Sequence, residues 1–171
     1  KALLGKAVLP ADLPDVTAPV YKAPTSGGST GRPKLILSGN RGETSKEIPQ
    51  VGGFRVNPDS TMVIPAPLYH NAPFGMAAAG ITVGAHVIVM PRFDPERTLE
   101  TVQRHRASWL YLVPTMMNRI WHLPEEVRSA YDVSSLTTMW HMAAPCPPWL
   151  KENFIHWFGP ETVMELYAGT E

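Results

Sequence analysis

The residues best suited to chemistry form one run, Ser26, Gly27, Gly28, Ser29, Thr30, Gly31, Arg32, Pro33 and Lys34. Glycines leave backbone amides bare and accept positive φ without penalty, so successive N–H groups can converge on one anion. Ser29 and Thr30 add hydroxyl donors and Lys34 a mobile positive charge, a set suited to the phosphates of a nucleotide. A Gly/Ser-rich run can equally be a solvated linker. The Thr-Gly-x-Pro-Lys ending argues against that, because it runs straight into the apolar Leu35-Ile36-Leu37. It is not a Walker-type loop: Lys34 lies three residues beyond Gly31, and neither Ser nor Thr follows it. The apolar run after it reads as a strand, so the spacing predicts a flap joining two strands rather than a helix N-terminus.

Four segments together resemble the adenylate-forming superfamily of acyl- and aryl-CoA synthetases, peptide-synthetase adenylation domains and luciferases. The first is TSGGSTGRPKLI, similar to its phosphate-loop signature. The second is Pro67 to Phe74, a proline followed by an aromatic residue and His70 ahead of a small-residue helix. The third, MAAPCP, resembles a strand-end Gly-Ala-Ala-Pro, with Met142 in place of the glycine and His141 where a small residue is common. The fourth, Tyr167-Ala168-Gly169-Thr170-Glu171, resembles Tyr-Gly-x-Thr-Glu with Ala168 in place of its glycine.

The resemblance implies roles for these residues. Ser26, Gly27, Gly28, Ser29, Thr30, Gly31 and Lys34 would hold the ATP phosphates, and His70 would line the acyl pocket beside the reacting carboxylate. The backbone of Ala143, Ala144 and Pro145 would lie against adenine, with Tyr167 stacked on it and Gly169 in the same corner. Thr170 would reach the α-phosphate and Glu171 would hold Mg2+. The residue chemistry agrees: an aromatic face suits a purine, a hydroxyl a phosphate oxygen, and a hard carboxylate a hard cation. The implied reaction is attack of a carboxylate on ATP to give an acyl-adenylate, then transfer to coenzyme A, for which no site can be read here. Amino-acid-activating relatives place an aspartate in the second segment, yet Leu68 to Gly80 carries no acidic residue. A pocket edged by Tyr69, Phe74, Met76 and Ala77 suits an uncharged apolar tail. Two alternatives stay open: an adenylation domain loading a carrier protein, and a non-catalytic adenine-nucleotide-binding module.

These residues need a sheet to present them. Met62 to Ile64, Ala85 to Met90, Ser108 to Val113, Leu136 to Ala144 and Thr162 to Leu166 read as strands. Between them lie helix patterns: a tight-packing stretch at Gly75 to Gly80, and one from an Asp94 N-cap with Pro95 to about Arg106. Two more run from Pro114 to about His122 and from Pro148 to Phe158. Alternating strands and helices predict an α/β fold, a mostly parallel sheet with helices on both faces and right-handed crossovers. A short helix could start at Thr44 to Glu47. Residues 1–24, with prolines at 10, 14, 19 and 24 and no helical period, read as an irregular lead-in. Residues 25–171 are then the nucleotide- and acyl-binding part of the superfamily's large N-terminal domain. The resemblance makes the chain an internal segment without the C-terminal domain, unable alone to turn over normally.

With 171 residues the chain can bury a real core, and 15 basic against 15 acidic residues in no block argue against a charge-driven nucleic-acid or membrane partner. No apolar run approaches the roughly 20 residues of a membrane span, and the first residues are too short in apolar character for a signal peptide. The chain reads as cytoplasmic. Its single cysteine, Cys146, excludes an internal disulfide and reads as a reduced, inert thiol. His141 and Cys146 lack the further ligands a closed zinc site needs. Trp140, Trp149, Trp157 and Phe158 read as core, and Arg104 to Arg106 as a solvated helix face.

Overall fold

The computed structural model describes residues 16–25, 31–39, 41–42 and 52–168. Five strands form one parallel sheet: β1 (Thr61–Ile64), β2 (His86–Val89), β3 (Trp109–Leu112), β4 (Thr138–Met142) and β5 (Val163–Leu166). Their order is β2-β1-β3-β4-β5. Helices α1 (Asn71–Val83), α2 (Pro95–His105), α3 (Pro114–Trp121), α4 (Glu125–Arg128) and α5 (Pro148–Phe158) make the connections. The central β3 and β4 are buried at every position, as expected of parallel strands covered on both faces. The edge strands β2 and β5 are partly exposed.

Strand alternation divides the core in two. Val63, Leu110, Leu112 and Met139 pack with Leu99 and Val102 of α2, Met117 and Ile120 of α3, and Leu150 and Phe154 of α5. Met62, Ile64, Trp109, Tyr111, Trp140 and Met142 face the other way, with Met76 and Ala77 of α1. Chain direction explains the split. The β1-to-β2 step moves one way across the sheet and the later steps move the other, so right-handed crossovers put α1 alone on one face.

Local chemistry sets the helix ends. Asp94 accepts a hydrogen bond from the Arg97 N–H at 2.9 Å and caps α2, with Pro95 as its first residue. Helix α1 starts earlier than its small-residue stretch suggested, at Asn71, and ends at Gly84 in the left-handed region. Beyond α1 on the same face, the Phe54 carbonyl accepts both the Trp109 and Trp140 indole N–H groups, at 2.9 and 3.1 Å. Trp140 is core, and Trp157 and Phe158 pack at its margin, but Trp149 is 46% exposed. It lies on the outer side of the first turn of α5, where Leu150 takes the buried position. The possible helix at Thr44 to Glu47 lies outside the described residues.

Candidate active site

An antiparallel ribbon carries the glycine-rich run. Thr25 bridges Leu35, and the N–H groups of Ile36, Ser38 and Gly42 donate to the carbonyls of Pro24, Lys22 and Ala18. All these pairs are symmetric about residue 30, so Gly31 to Lys34 sit at the tip of a strand-joining flap. Among the described residues, Leu35 and Ile36 pair with the incoming arm and belong to none of the strands of the sheet. Lys34 is exposed, and Gly31 has φ +151°, a backbone state that side chains disfavour. Ser26 to Thr30 lie outside the described residues. The ribbon rests near the start of α1, where the Tyr21 and Phe74 ring centroids are 6.5 Å apart.

Beyond the carboxyl ends of the strands lies a cavity of about 720 Å3. It opens between β1 and β3, where the chain leaves in opposite directions, the switch point at which open parallel sheets leave a crevice. Lys22 of the ribbon forms one side. Ala66, Pro67 and His70 follow β1, and Asn71, Gly75 and Met76 come from the start of α1. Tyr111 and Val113 come from β3 and its exit, and Thr115 and Met116 from the first turn of α3. Met142 and Ala143 end β4, and Leu166 and Ala168 flank the exposed Tyr167 after β5.

Of the residues singled out in the sequence, His70 and Ala143 thus stand in the cavity wall. Ala144 and Pro145 are exposed beside it, and Tyr167 is 99% exposed. Gly169, Thr170 and Glu171 lie outside the described residues. The expected rim of Tyr69, Phe74, Met76 and Ala77 is only partly realised. Met76 lines the cavity, but Tyr69 points to solvent at 83% exposure, Phe74 is turned outward, and Ala77 packs into the core. Sequence reasoning missed Lys22, Asn71, Tyr111, Met142 and Leu166 as lining residues. Knowing the strand order would have found the last three, because they are alternate-face residues at the ends of adjacent strands.

Below the cavity, on the opposite face of the sheet, His141 is fully buried and neither ring nitrogen has a hydrogen-bond partner. Its Nδ1 lies 3.9 Å from Glu165 Oε1, across the register pair joining β4 and β5. Burial outweighs that carboxylate and holds the imidazole below its usual range. Glu165 is held low chiefly by its hydrogen bond from Lys151. Burial pushes the nearby Cys146 thiol up, as expected of an unreactive cysteine. No group of three or more His, Cys, Asp or Glu among the described residues could hold a metal ion. No described helix is long and apolar enough to cross a membrane.

Residues 9–171 match the family described as AMP-binding enzyme. The chain belongs to that family. As a member of the AMP-binding enzymes it is 30% identical over 147 residues to 4-coumarate--CoA ligase-like 2 of Arabidopsis thaliana, a match covering 85% of this chain and 26% of the relative. It is 33% identical over 148 residues to a feruloyl-CoA synthase of Amycolatopsis, covering 86% and 29%. The chain therefore spans under a third of these relatives' length. Among solved structures it superposes on a long-chain-fatty-acid-CoA ligase of Archaeoglobus fulgidus with a TM-score of 0.73 at 23% identity, covering 89% of this chain and 32% of that one. ATP-bound MatB of Rhodopseudomonas palustris gives 0.69 at 25% identity, covering 89% and 29%. The family match and these neighbours agree with the parallel sheet and two-faced helices of an adenylate-forming large domain.

Proposed function

We propose that the chain forms the nucleotide- and acyl-binding part of an ATP-dependent, AMP-forming acid–thiol ligase that works in the cytoplasm. It would activate a carboxylic acid with an apolar tail to the acyl-adenylate and pass the acyl group to coenzyme A. One observation carries this reading: a single cavity at the switch point is walled by the base of the glycine-rich ribbon, by His70, and by the residues flanking Tyr167. Matched relatives bear the names of CoA ligases for coumarate and ferulate, acids of the expected kind.

The chemistry asks little proton transfer of the protein. A carboxylate oxygen bonds to the α-phosphorus while the bond from that phosphorus to the bridging oxygen of the β-phosphate breaks. Pyrophosphate then leaves with the electron pair. The nucleophile already carries its charge, so the protein's work is to position and to neutralise. The Ser26 to Gly31 amides and hydroxyls and Lys34 would hold the leaving phosphates, and Thr170 the α-phosphate. The backbone of Ala143 to Pro145 and the Tyr167 ring would hold adenine, and His70 would border the carboxylate. A carboxylate is the right donor for Mg2+, and Glu171 would hold that ion. Bound there, the ion would supply charge neutralisation to the phosphates.

ATP–pyrophosphate exchange by the full-length protein, run across fatty, aromatic and steroid-like acids, tests this. Lys34→Ala should lower exchange roughly 100-fold, about the 3 kcal/mol lost with one transition-state donor, and Glu171→Ala should lower it too. ATP binding with no exchange for any acid would instead favour the non-catalytic nucleotide-binding module.

A further inference from the structure

The cavity wall carries one unopposed charge. Among its described lining residues Lys22 is the one lysine or arginine, and none is an aspartate or glutamate. Lys22 belongs to no ion pair among the described residues, and its Nζ lies over the Tyr21 ring, 5.8 Å from the centroid. The ribbon asks only for its main chain: the Lys22 carbonyl accepts from the Ser38 N–H at 3.0 Å, a bond that any residue could make. The ammonium is thus not needed for the fold. Lys22 is half-buried beside hydrocarbon and thioether from Ala66, Met76, Met116 and Met142. An anion brought to a cation in such surroundings gains more than it would at an open surface.

Two anions enter this cleft in the reaction proposed above, the phosphates of ATP and the carboxylate of the acid. Position along the ribbon separates them. Lys34 sits at the tip with the end of the glycine run, whereas Lys22 pairs with Ser38, four residues further down the returning arm. Extended chain covers about 13 Å in that distance. Lys22 instead shares the wall with Pro67 and His70, the segment after β1 that would border the reacting carboxylate.

We propose that Lys22 is a further substrate-binding residue, whose ammonium pairs with the reacting carboxylate of the acid and holds it in the cavity for attack on the α-phosphorus. An ammonium is a compact donor that can keep one carboxylate oxygen and leave the other free to attack. The contact is with the head of the acid, so it should strengthen aryl and alkyl acids by a similar factor. The proposal rests on the acid-activating reading above, and the test separates the two. The full-length protein is titrated by calorimetry with an aryl and an alkyl carboxylic acid, each beside its uncharged primary amide, and the acids are also run in ATP–pyrophosphate exchange.

Each carboxylate should bind about 10- to 100-fold more tightly than its amide, as expected for one charge-assisted hydrogen bond. Lys22→Met keeps the hydrocarbon stem and loses the charge, and it should bring that ratio down toward one for both acids. It should raise the KM for the acid by a similar factor and leave the KM for ATP unchanged. Lys22→Arg retains a cation and should recover most of the ratio, which a merely structural role would not predict. Lys22→Gln serves in place of the methionine variant if that one fails to fold. A wild-type ratio at or below one, a ratio unchanged in Lys22→Met, an equal rise in the KM for ATP, or a ratio lost as fully in Lys22→Arg would overturn the proposal. Preference for the carboxylate without exchange would sink the catalytic reading and leave the carboxylate site standing. Exchange with an acid KM that Lys22→Met does not move would do the reverse.

Discussion

Ala143 occupies a position that alanine does not favour. It follows β4 in the cavity wall with φ +75°, where the Cβ crowds the backbone at a cost of about 1–2 kcal/mol. Strain of this kind persists where surrounding structure dictates the backbone path, often at a site. Here the path turns the chain from the sheet toward Pro145, presenting the main chain that adenine is proposed to meet. Ala143→Gly removes the crowding, while glycine's extra freedom in the unfolded chain returns roughly 0.5–1 kcal/mol of the gain. The net expectation is a stabilisation of about 0.5–1 kcal/mol, read as a higher urea midpoint. A lower midpoint would mean that the methyl group's contacts outweigh the strain.

At the scale of elements, α1 is held against the sheet by an absence of side chain. A Cβ built on Gly80 would lie 2.5 Å from Met62 Sδ and 2.7 Å from Val87 Cγ2, so the helix sits as close to β1 and β2 as a glycine permits. Gly80→Ala gains up to about 1 kcal/mol of helix propensity but forces overpacking that costs about 1–3 kcal/mol. A net loss of roughly 1–2 kcal/mol is expected in denaturant unfolding. A stability gain would show that α1 can slide outward at no cost. Such sliding would also carry His70, Asn71 and Met76, which the same helix delivers to the cavity. The close approach was legible in the run of glycine and alanines from Gly75 to Gly80, and the strands and the other long helices were legible from apolar runs, prolines and the Asp94 cap. The early start of α1 was not. Asn71 is a residue type favoured at N-caps, yet it is the first helical residue here, and the cap position falls to His70, whose side chain makes no capping bond. The short α4 was missed as well, because four residues with no buried side chain leave no hydrophobic period to read.

The molecule as a whole assembles its site from parts that no local pattern joins. Lys22, His70, Tyr111 and Ala168 meet only because β3 is inserted beside β1 after the chain has already gone out to β2 and back. Motif spacing could suggest which residues matter, whereas the strand order decided which of them share a wall. The same insertion creates a whole-molecule property that the sequence did not disclose, a histidine sealed between β4, β5 and the face that α5 covers. His141 is buried with both ring nitrogens unpaired, and burial lowers its pKa, so the folded chain resists a proton that the unfolded chain accepts below about pH 6.5. Between the depressed folded value and 6.5 the unfolded state binds more protons, so stability rises with pH and is lost on acidification. Glu165 and Asp132 act in the same direction at lower pH, because Lys151 and Ser134 respectively hold their carboxyls low and their stabilisation fades as pH falls through those lowered values. The slope between pH 5 and 6.5 should therefore belong mainly to His141. Urea midpoints measured from pH 5 to 8 should fall on the acid side for the wild type. In His141→Leu, which removes the proton site and leaves no ring nitrogen unpaired, that part of the profile should flatten while the steeper loss below about pH 4.5 remains. An unchanged slope in His141→Leu would place the proton uptake on other groups.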